Sequence, residues 1–253
     1  MMDFQGKKVL ITGASRGIGR ACAVQFAALG AQVAVHFHRQ HEAAEATLDR
    51  LPGQGHFTIQ ADIGDPQAVL RLVEGSVQGL GRLDILVNNA GIWRQHPIDG
   101  VDYAEWQAAW QEILAVNLLS VANLCHAAVP AMLHGGGGRI VNVSSRGAFR
   151  GEPISPAYGA SKAALNALSQ SLAVHLATKN IYVGVVAPGW VETDMAAETL
   201  AGAEGAAIRA QSPLGRVARA EEVASAVCYM AAPESAFSTG AILDVNGASY
   251  LRT

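Results

Sequence analysis

Three side chains in one stretch of this sequence have the chemistry to move a proton. Ser145, Tyr158 and Lys162 lie in the run Ser145-Arg-Gly-Ala-Phe-Arg-Gly-Glu-Pro-Ile-Ser-Pro-Ala-Tyr158-Gly-Ala-Ser-Lys162. Tyr158 and Lys162 are four residues apart, so on a helix they share one face. A free tyrosine ionises near pH 10, badly matched to neutral water, and an ammonium close by favours tyrosinate and lowers that value. A serine hydroxyl beside the pair can bind and orient a carbonyl oxygen while the phenol protonates it. In the reverse direction the phenol takes the proton of an alcohol. A tyrosine one turn before a lysine is common in helices and means nothing alone. Here it is accompanied by a glycine-rich turn, an Asn-Asn-Ala-Gly tetrad and a Pro-Gly turn.

The elements that must position these groups follow from periodicity. Lys7-Lys-Val-Leu-Ile-Thr12 is a short apolar, β-branched run ending at a glycine and predicts a buried parallel strand. Gly13-Ala-Ser-Arg-Gly17-Ile-Gly19 follows, then a helical pattern over 20–29. Glycines at such a turn let the backbone approach a pyrophosphate, and the helix N-terminus offers it free N–H groups. Further strands are predicted at Gln32–Phe37, His56–Ala61, Leu83–Val87, Arg139–Ser144, Ile181–Ala187 and within Thr239–Gly247. Helices are predicted at Tyr103–His134, from about Ala157, and at Ala220–Ala231. The alternation implies one α/β domain over 1–253, a three-layer doubly wound parallel sheet of about seven strands, with ligands at the strands' carboxyl ends. Asp65 before Pro66 reads as a helix cap, and Gly135–Gly138 reads as a flexible surface linker.

Composition narrows the function classes. The 253 residues are half apolar and 15% charged, with net charge −3, which suits a single large core. The lack of a basic stripe argues against nucleic acid or an anionic membrane as partner. No apolar run reaches the roughly 18 residues of a membrane span, and the N-terminal stretch around Asp3, Lys7 and Lys8 lacks a leader pattern. Cys22, Cys125 and Cys228 are far apart in apolar helical stretches and read as buried free thiols. Together these imply a cytoplasmic protein. His36, His38 and His41 have no carboxylate or fourth ligand close in sequence, so no metal is assigned.

The spacing Thr12-Gly-x-x-x-Gly-x-Gly, the tetrad Asn88-Asn-Ala-Gly91, the Tyr158-x-x-x-Lys162 pair and the turn Pro188-Gly189 resemble the short-chain dehydrogenase/reductase family, in its branch with chains of about this length. The likeness extends over nearly the whole chain and implies several roles. Ser145, thirteen residues before Tyr158, is preferred over Ser144 as the catalytic serine, and Asn117 completes the set, bending its helix and holding a water linked to the lysine. Lys162 also binds the nicotinamide ribose. Gly13, Ser15, Arg16, Gly17, Ile18 and Gly19 form the phosphate turn; Asp62 and Ile63 meet the adenine; Asn89, Ala90 and Gly91 leave room for the cofactor. Pro188, Gly189, Val191 and Thr193 pass the nicotinamide carboxamide.

An acidic residue at the end of the second strand would select NAD. Phe37 stands there, followed by His38 and Arg39, with Arg16 in the glycine turn, so NADP(H) is favoured. Trp93 and Trp190 follow the two turns nearest the cofactor and are placed in the substrate pocket, beneath a lid spanning about 190–215. The resemblance implies a carbonyl or secondary-alcohol substrate and a homotetramer. The nearest alternatives are a 3-oxoacyl-[acyl-carrier-protein] reductase and a sugar or polyol dehydrogenase. Gly136 and Val174 stand where the acyl-carrier enzymes place docking arginines, which disfavours the first. A nucleotide-sensing protein on the same fold would lack the Tyr or Lys, and an epimerase would need a longer C-terminal domain.

Overall fold

The computed structural model describes residues 2–252. Seven strands form one parallel sheet: β1 (Lys8–Ile11), β2 (Gln32–Phe37), β3 (Phe57–Gln60), β4 (Ile85–Asn88), β5 (Gly138–Val143), β6 (Ile181–Pro188) and β7 (Ile242–Val245). Their order is β3-β2-β1-β4-β5-β6-β7, all pairs parallel. The chain reverses its direction of growth between β1 and β4, which opens a crevice at their carboxyl ends.

Alternation along each strand builds two cores. Val9 and Ile11 face helices α1 (Gly17–Ala28) and α10 (Ala220–Ala231), with Cys22, Phe26 and Val227. Leu10 faces α3 (Pro66–Leu80), α5 (Ser120–His134) and α7 (Pro156–Leu176), with Leu72, Leu124 and Leu165. Helices thus cover both faces, and strands buried on both sides need apolar residues throughout. Each fully buried side chain of this size contributes roughly 1.5–3 kcal/mol. Asp65 caps α3 through the Gln67 amide, as expected, and all three cysteines are buried and free.

One expectation needs correction and two gain detail. First, 103–134 is one continuous stretch with a defect: α4 (Tyr103–Leu114) runs into a π-helical turn at Ala115–Leu119 and then into α5. By length and composition alone that stretch could cross a membrane. In the fold its apolar face, including Val121, Leu124 and Met132, packs on the sheet. Second, the four glycines after α5 form a tight, specific turn. Gly136 and Gly137 have φ of +84° and +139°, and a Cβ on Gly137 would sit 2.4 Å from the Asn180 carbonyl oxygen. Third, a short helix α6 (Gly147–Arg150) sits inside the 145–162 stretch, and the segment after β6 is two helices, α8 (Asp194–Ala201) and α9 (Gly205–Ala210). The remaining helix, α2 (His41–Leu48), follows β2.

Candidate active site

The floor of the crevice is the turn between β1 and α1. Gly13 and Gly17 have positive φ, +63° and +55°. Gly19 is needed for space, since a Cβ there would lie 2.3 Å from the Gly13 oxygen and 2.5 Å from Asn89 Nδ2. Arg16 makes no side-chain cap on α1, and the first turn holds no acidic residue. Its free N–H groups and dipole therefore suit an anion. Asn89 ties the strand ends together, donating from Nδ2 to the Thr12 and Gly13 carbonyls at 2.9 and 3.1 Å. Thr12 Oγ1 accepts from the Asn89 and Ala90 amides.

Two supports of this turn carry no sequence signature. His36 Nδ1 accepts from the Gly13 amide at 3.1 Å, and Nε2 donates to the Ala61 carbonyl at 3.1 Å. Burial holds its pKa down at about 4, so the ring stays neutral and can keep accepting. Arg20 Nη2 donates to the Ser15 carbonyl at 2.6 Å. The three neighbouring histidines serve three separate partners. His36 binds backbone, His38 lies 3.5 Å from Asp62, and His41 lies 3.8 Å from Glu45. His38 and Arg39 are exposed beyond β2, Ile63 is buried beside Asp62, and Arg16 faces Asp194 of α8 at 3.8 Å.

The wall of the crevice holds the reactive groups. Ser144 Oγ donates to the Lys162 carbonyl at 3.3 Å, whereas Ser145 Oγ accepts from the Gly147 amide at 3.0 Å and is half-buried. Ser145 is thus the serine left free to donate. Pro156 starts α7, and Tyr158 and Lys162 rise from one face of it. The Lys162 Nζ donates to the Val143 carbonyl at 2.9 Å and lies 5.8 Å from the Tyr158 ring centroid. Gly91 completes the contact: a Cβ there would stand 3.4 Å from Lys162 Nζ and 3.3 Å from Asn117 Oδ1.

Asn117 occupies the π turn and is fully buried. Its side chain exchanges hydrogen bonds with the Ile92 backbone, at 2.8 and 2.9 Å, and donates to Ser161 Oγ at 3.2 Å. The amide therefore fixes the segment after Gly91. Burial dominates the electrostatics of the pair. Burial pushes the Tyr158 phenol up to about 12, against the neighbouring Ser145 hydroxyl and helped by the charge of Glu152. Burial pulls Lys162 down to about 8. Burial leads both shifts, and Lys162 is not among the groups that move the phenol.

The segment after β6 closes the far side. Gly189 donates to the Val245 carbonyl at 3.0 Å, and a Cβ on it would come within 3.1 Å of Asn246. Arg146 N donates to the Pro188 carbonyl at 2.8 Å. The Thr193 methyl would touch a Cβ on Gly17 at 3.2 Å, so Thr193 stands against the glycine turn. Val191 is buried and bridges to Ala218. Trp190 packs under Ala196, Leu200 and Ile208, as the base of that segment, and Trp93 is half-buried.

His96 carries no signature in the sequence and supports the start of the tyrosine's helix. It is 0% exposed. Its Nε2 accepts from the Ala157 amide at 3.1 Å, so its Nδ1 carries the proton and donates to the Arg94 carbonyl at 2.8 Å. This caps α7 one residue before Tyr158, while Trp106 packs against the ring at 5.7 Å. His96→Ala is expected to cost about 1–3 kcal/mol by orphaning that amide and to lower turnover. His96→Gln should recover part of both. Urea melts alongside steady-state rates check this, and an unchanged melt would refute the capping role.

The comparisons with known proteins agree with this layout. A family model described as Enoyl-(Acyl carrier protein) reductase matches residues 13–248. The 3-oxoacyl-[acyl-carrier-protein] reductase of Escherichia coli is 40% identical over 250 residues, covering 99% of this chain and 100% of the relative. That of Staphylococcus aureus is 36% identical over 247 residues, covering 97% and 98%. A short chain dehydrogenase from Burkholderia cenocepacia, solved in complex with NADP, superposes with a TM-score of 0.88 at 37% identity, covering 97% of this chain and 98% of that one. A dehydrogenase/reductase from Sinorhizobium meliloti gives 0.90 at 34%, covering 98% and 97%. With its sheet order, its glycine turn and this near full-length match, the chain belongs to the short-chain dehydrogenase/reductase family of oxidoreductases.

Proposed function

We propose that the protein interconverts a carbonyl compound and a secondary alcohol with NADP(H), through Ser145, Tyr158, Lys162 and Asn117. The observation that carries this reading is the meeting of Lys162 Nζ, Asn117 and Gly91 beside Tyr158, at the carboxyl ends of β4 and β5. A nicotinamide dinucleotide fits the residues present. The uncapped α1 N-terminus suits its pyrophosphate, and Gly13, Gly17 and Gly19 form a cradle that side chains would fill. Asp62 and Ile63 would hold the adenine, Asn89, Ala90 and Gly91 would line the middle, and Val191 and Thr193 would hold the carboxamide.

The bound cofactor supplies or accepts the hydride. Everything else falls to the chain. Ser145 binds and orients the substrate oxygen. Tyr158 passes its phenolic proton to that oxygen in reduction and takes it back in oxidation. Lys162 holds a positive charge or a donor near the phenol, and Asn117 fixes the Ile92 segment behind it.

Relatives named 3-oxoacyl-[acyl-carrier-protein] reductase support carbonyl reduction and keep a carrier-linked substrate as a second reading. Against it, Val174 is 83% exposed and Gly136 has no side chain where a docking cation is expected. A panel of keto-esters, sugars, polyols and an acyl-carrier thioester, followed at 340 nm with both cofactors, separates these. Cofactor binding with no turnover on any of them would sink the enzyme reading.

For NADP(H), the support is the NADP complex of a relative and the exposed His38 and Arg39 where an acid would select NAD. Arg39→Asp is expected to raise KM for NADPH by at least about tenfold, a loss of about 1.4 kcal/mol, and to lower KM for NADH. Unmoved constants for both would remove Arg39 from the cofactor site. We expect a homotetramer in the reducing cytoplasm, in keeping with the three free thiols and the exposed apolar Val174 and Phe237.

A further inference from the structure

A charge buried in a folded protein is normally matched by an opposite one. Arg146 is 4% exposed, yet its guanidinium donates only to neutral acceptors, Ser249 Oγ at 2.5 Å and Gln211 Oε1 at 2.5 Å. Arg150 Nη1 reaches the same Gln211 oxygen at 3.3 Å. Among the described residues, neither guanidinium forms an ion pair. Glu152 acts on both only from a distance, its oxygen lying against Gly147, where a Cβ would meet it at 2.3 Å. Arg216 lines the same cavity but is already neutralised by two 2.7 Å bonds to Glu222. Burial, together with the like charge of Arg150, pulls Arg146 down to about 10 against the weaker pull of Glu152.

Two guanidiniums aimed at one amide oxygen make a geometry that a carboxylate satisfies better, with charge-assisted bonds in place of neutral ones. Gln211 follows α9, at the end of the segment that closes the far side of the crevice. The adjoining cavity, about 100 Å³, has Trp190, Ile208 and Leu214 as apolar wall and Ser212 and Ser249 as polar lining. Arg146 directly follows Ser145 in the chain. We infer that Arg146 and Arg150 form a carboxylate clamp whose place Gln211 holds, and that the carbonyl substrate carries an acidic group that displaces it. The clamp's role toward substrate rests on the reductase reading above; its capacity to bind a carboxylate does not.

Acetoacetate and levulinate, each against its methyl ester, are the probes. Calorimetric titration of the cofactor-free protein is expected to show the acids binding at least about tenfold more tightly than the esters, a difference of about 1.4 kcal/mol. Gln211→Glu places a carboxylate in the clamp and should weaken acid binding by a similar factor while raising the melting temperature. Arg150→Gln, on the exposed side and without risk to the core, should weaken acid binding and leave the esters unmoved. Acids that bind no better than esters, or that bind equally well to Gln211→Glu, overturn the clamp. Turnover of the esters together with either result leaves the reductase reading intact. Arginine-dependent acid binding with no turnover of any carbonyl compound keeps the clamp and removes the reductase.

Discussion

Tyr158→Phe is expected to lower kcat by about a thousandfold or more while leaving NADPH affinity within about twofold, since general acid catalysis is worth roughly 10²–10⁴ and the ring itself remains in place. The substitution removes one oxygen, whose side-chain partner is the Ser145 hydroxyl, and leaves the ring on α7. The pH dependence sharpens the test. The phenol is pushed up to about 12, so in the reducing direction the proton donor stays loaded throughout the neutral range. Reduction by the wild type should therefore show no loss from phenol ionisation between pH 6 and 9. Oxidation, which needs the phenol to give up its proton, should still be rising at the alkaline end of that range. Stopped-flow rates in both directions and a fluorescence titration of bound NADPH read these quantities. Turnover of the Phe variant near the wild-type rate would remove Tyr158 from the proton path.

What the sequence made legible is what local rules control. The β1 strand, its glycine turn and α1 form one contiguous stretch, and each glycine meets a local demand: positive φ at Gly13 and Gly17, close approach at Gly19. The Ala220–Ala231 helix falls where its pattern predicts. Ser145 over Ser144 rested on a separation in the chain, and the hydrogen bond of Ser144 to the Lys162 carbonyl now gives that choice a physical reason.

What stayed hidden depends on partners far apart in the chain. His96 caps a helix sixty-one residues away, and His36 receives an amide twenty-three residues before it. Neither has a motif, because a buried imidazole bound to backbone can sit wherever two segments cross. The bend expected at Asn117 takes the form of a π turn, and what stayed hidden is its side chain's partner, the Ile92 backbone twenty-five residues earlier. The phenol's pKa is hidden for a related reason. A lysine at i+4 shows that a positive charge is near, but the balance of burial against charge is fixed by walls drawn from the whole fold.

Lys162 brings that balance to its largest consequence, because the same burial that tunes the site strains the fold. The side chain is 4% exposed and makes one hydrogen bond within the protein, to the Val143 carbonyl. Its folded pKa of about 8 lies below its ordinary value of 10.5. Between these values the unfolded chain holds a proton that the native one does not, so native stability rises with pH across that window. Below pH 8 both states are protonated and the full cost of burying the ammonium is felt. Lys162→Met keeps much of the apolar stem and removes the charge. It is expected to reduce kcat/KM by roughly 10²–10⁴, on the scale of losing a group that assists proton transfer, and yet to raise stability at neutral pH by a few kcal/mol. The gain should shrink by about 1 kcal/mol between pH 8 and 9, as the wild type sheds its buried charge. Other groups titrate nearby: the thiols of Cys22, Cys125 and Cys228 are all raised by burial and favour the native state less as pH climbs past their ordinary range. They are common to both proteins, so the difference between wild-type and variant denaturation curves isolates the lysine. A variant that is both inactive and less stable at every pH would show Lys162 to be a structural anchor, and the charge beside Tyr158 would have to be sought elsewhere.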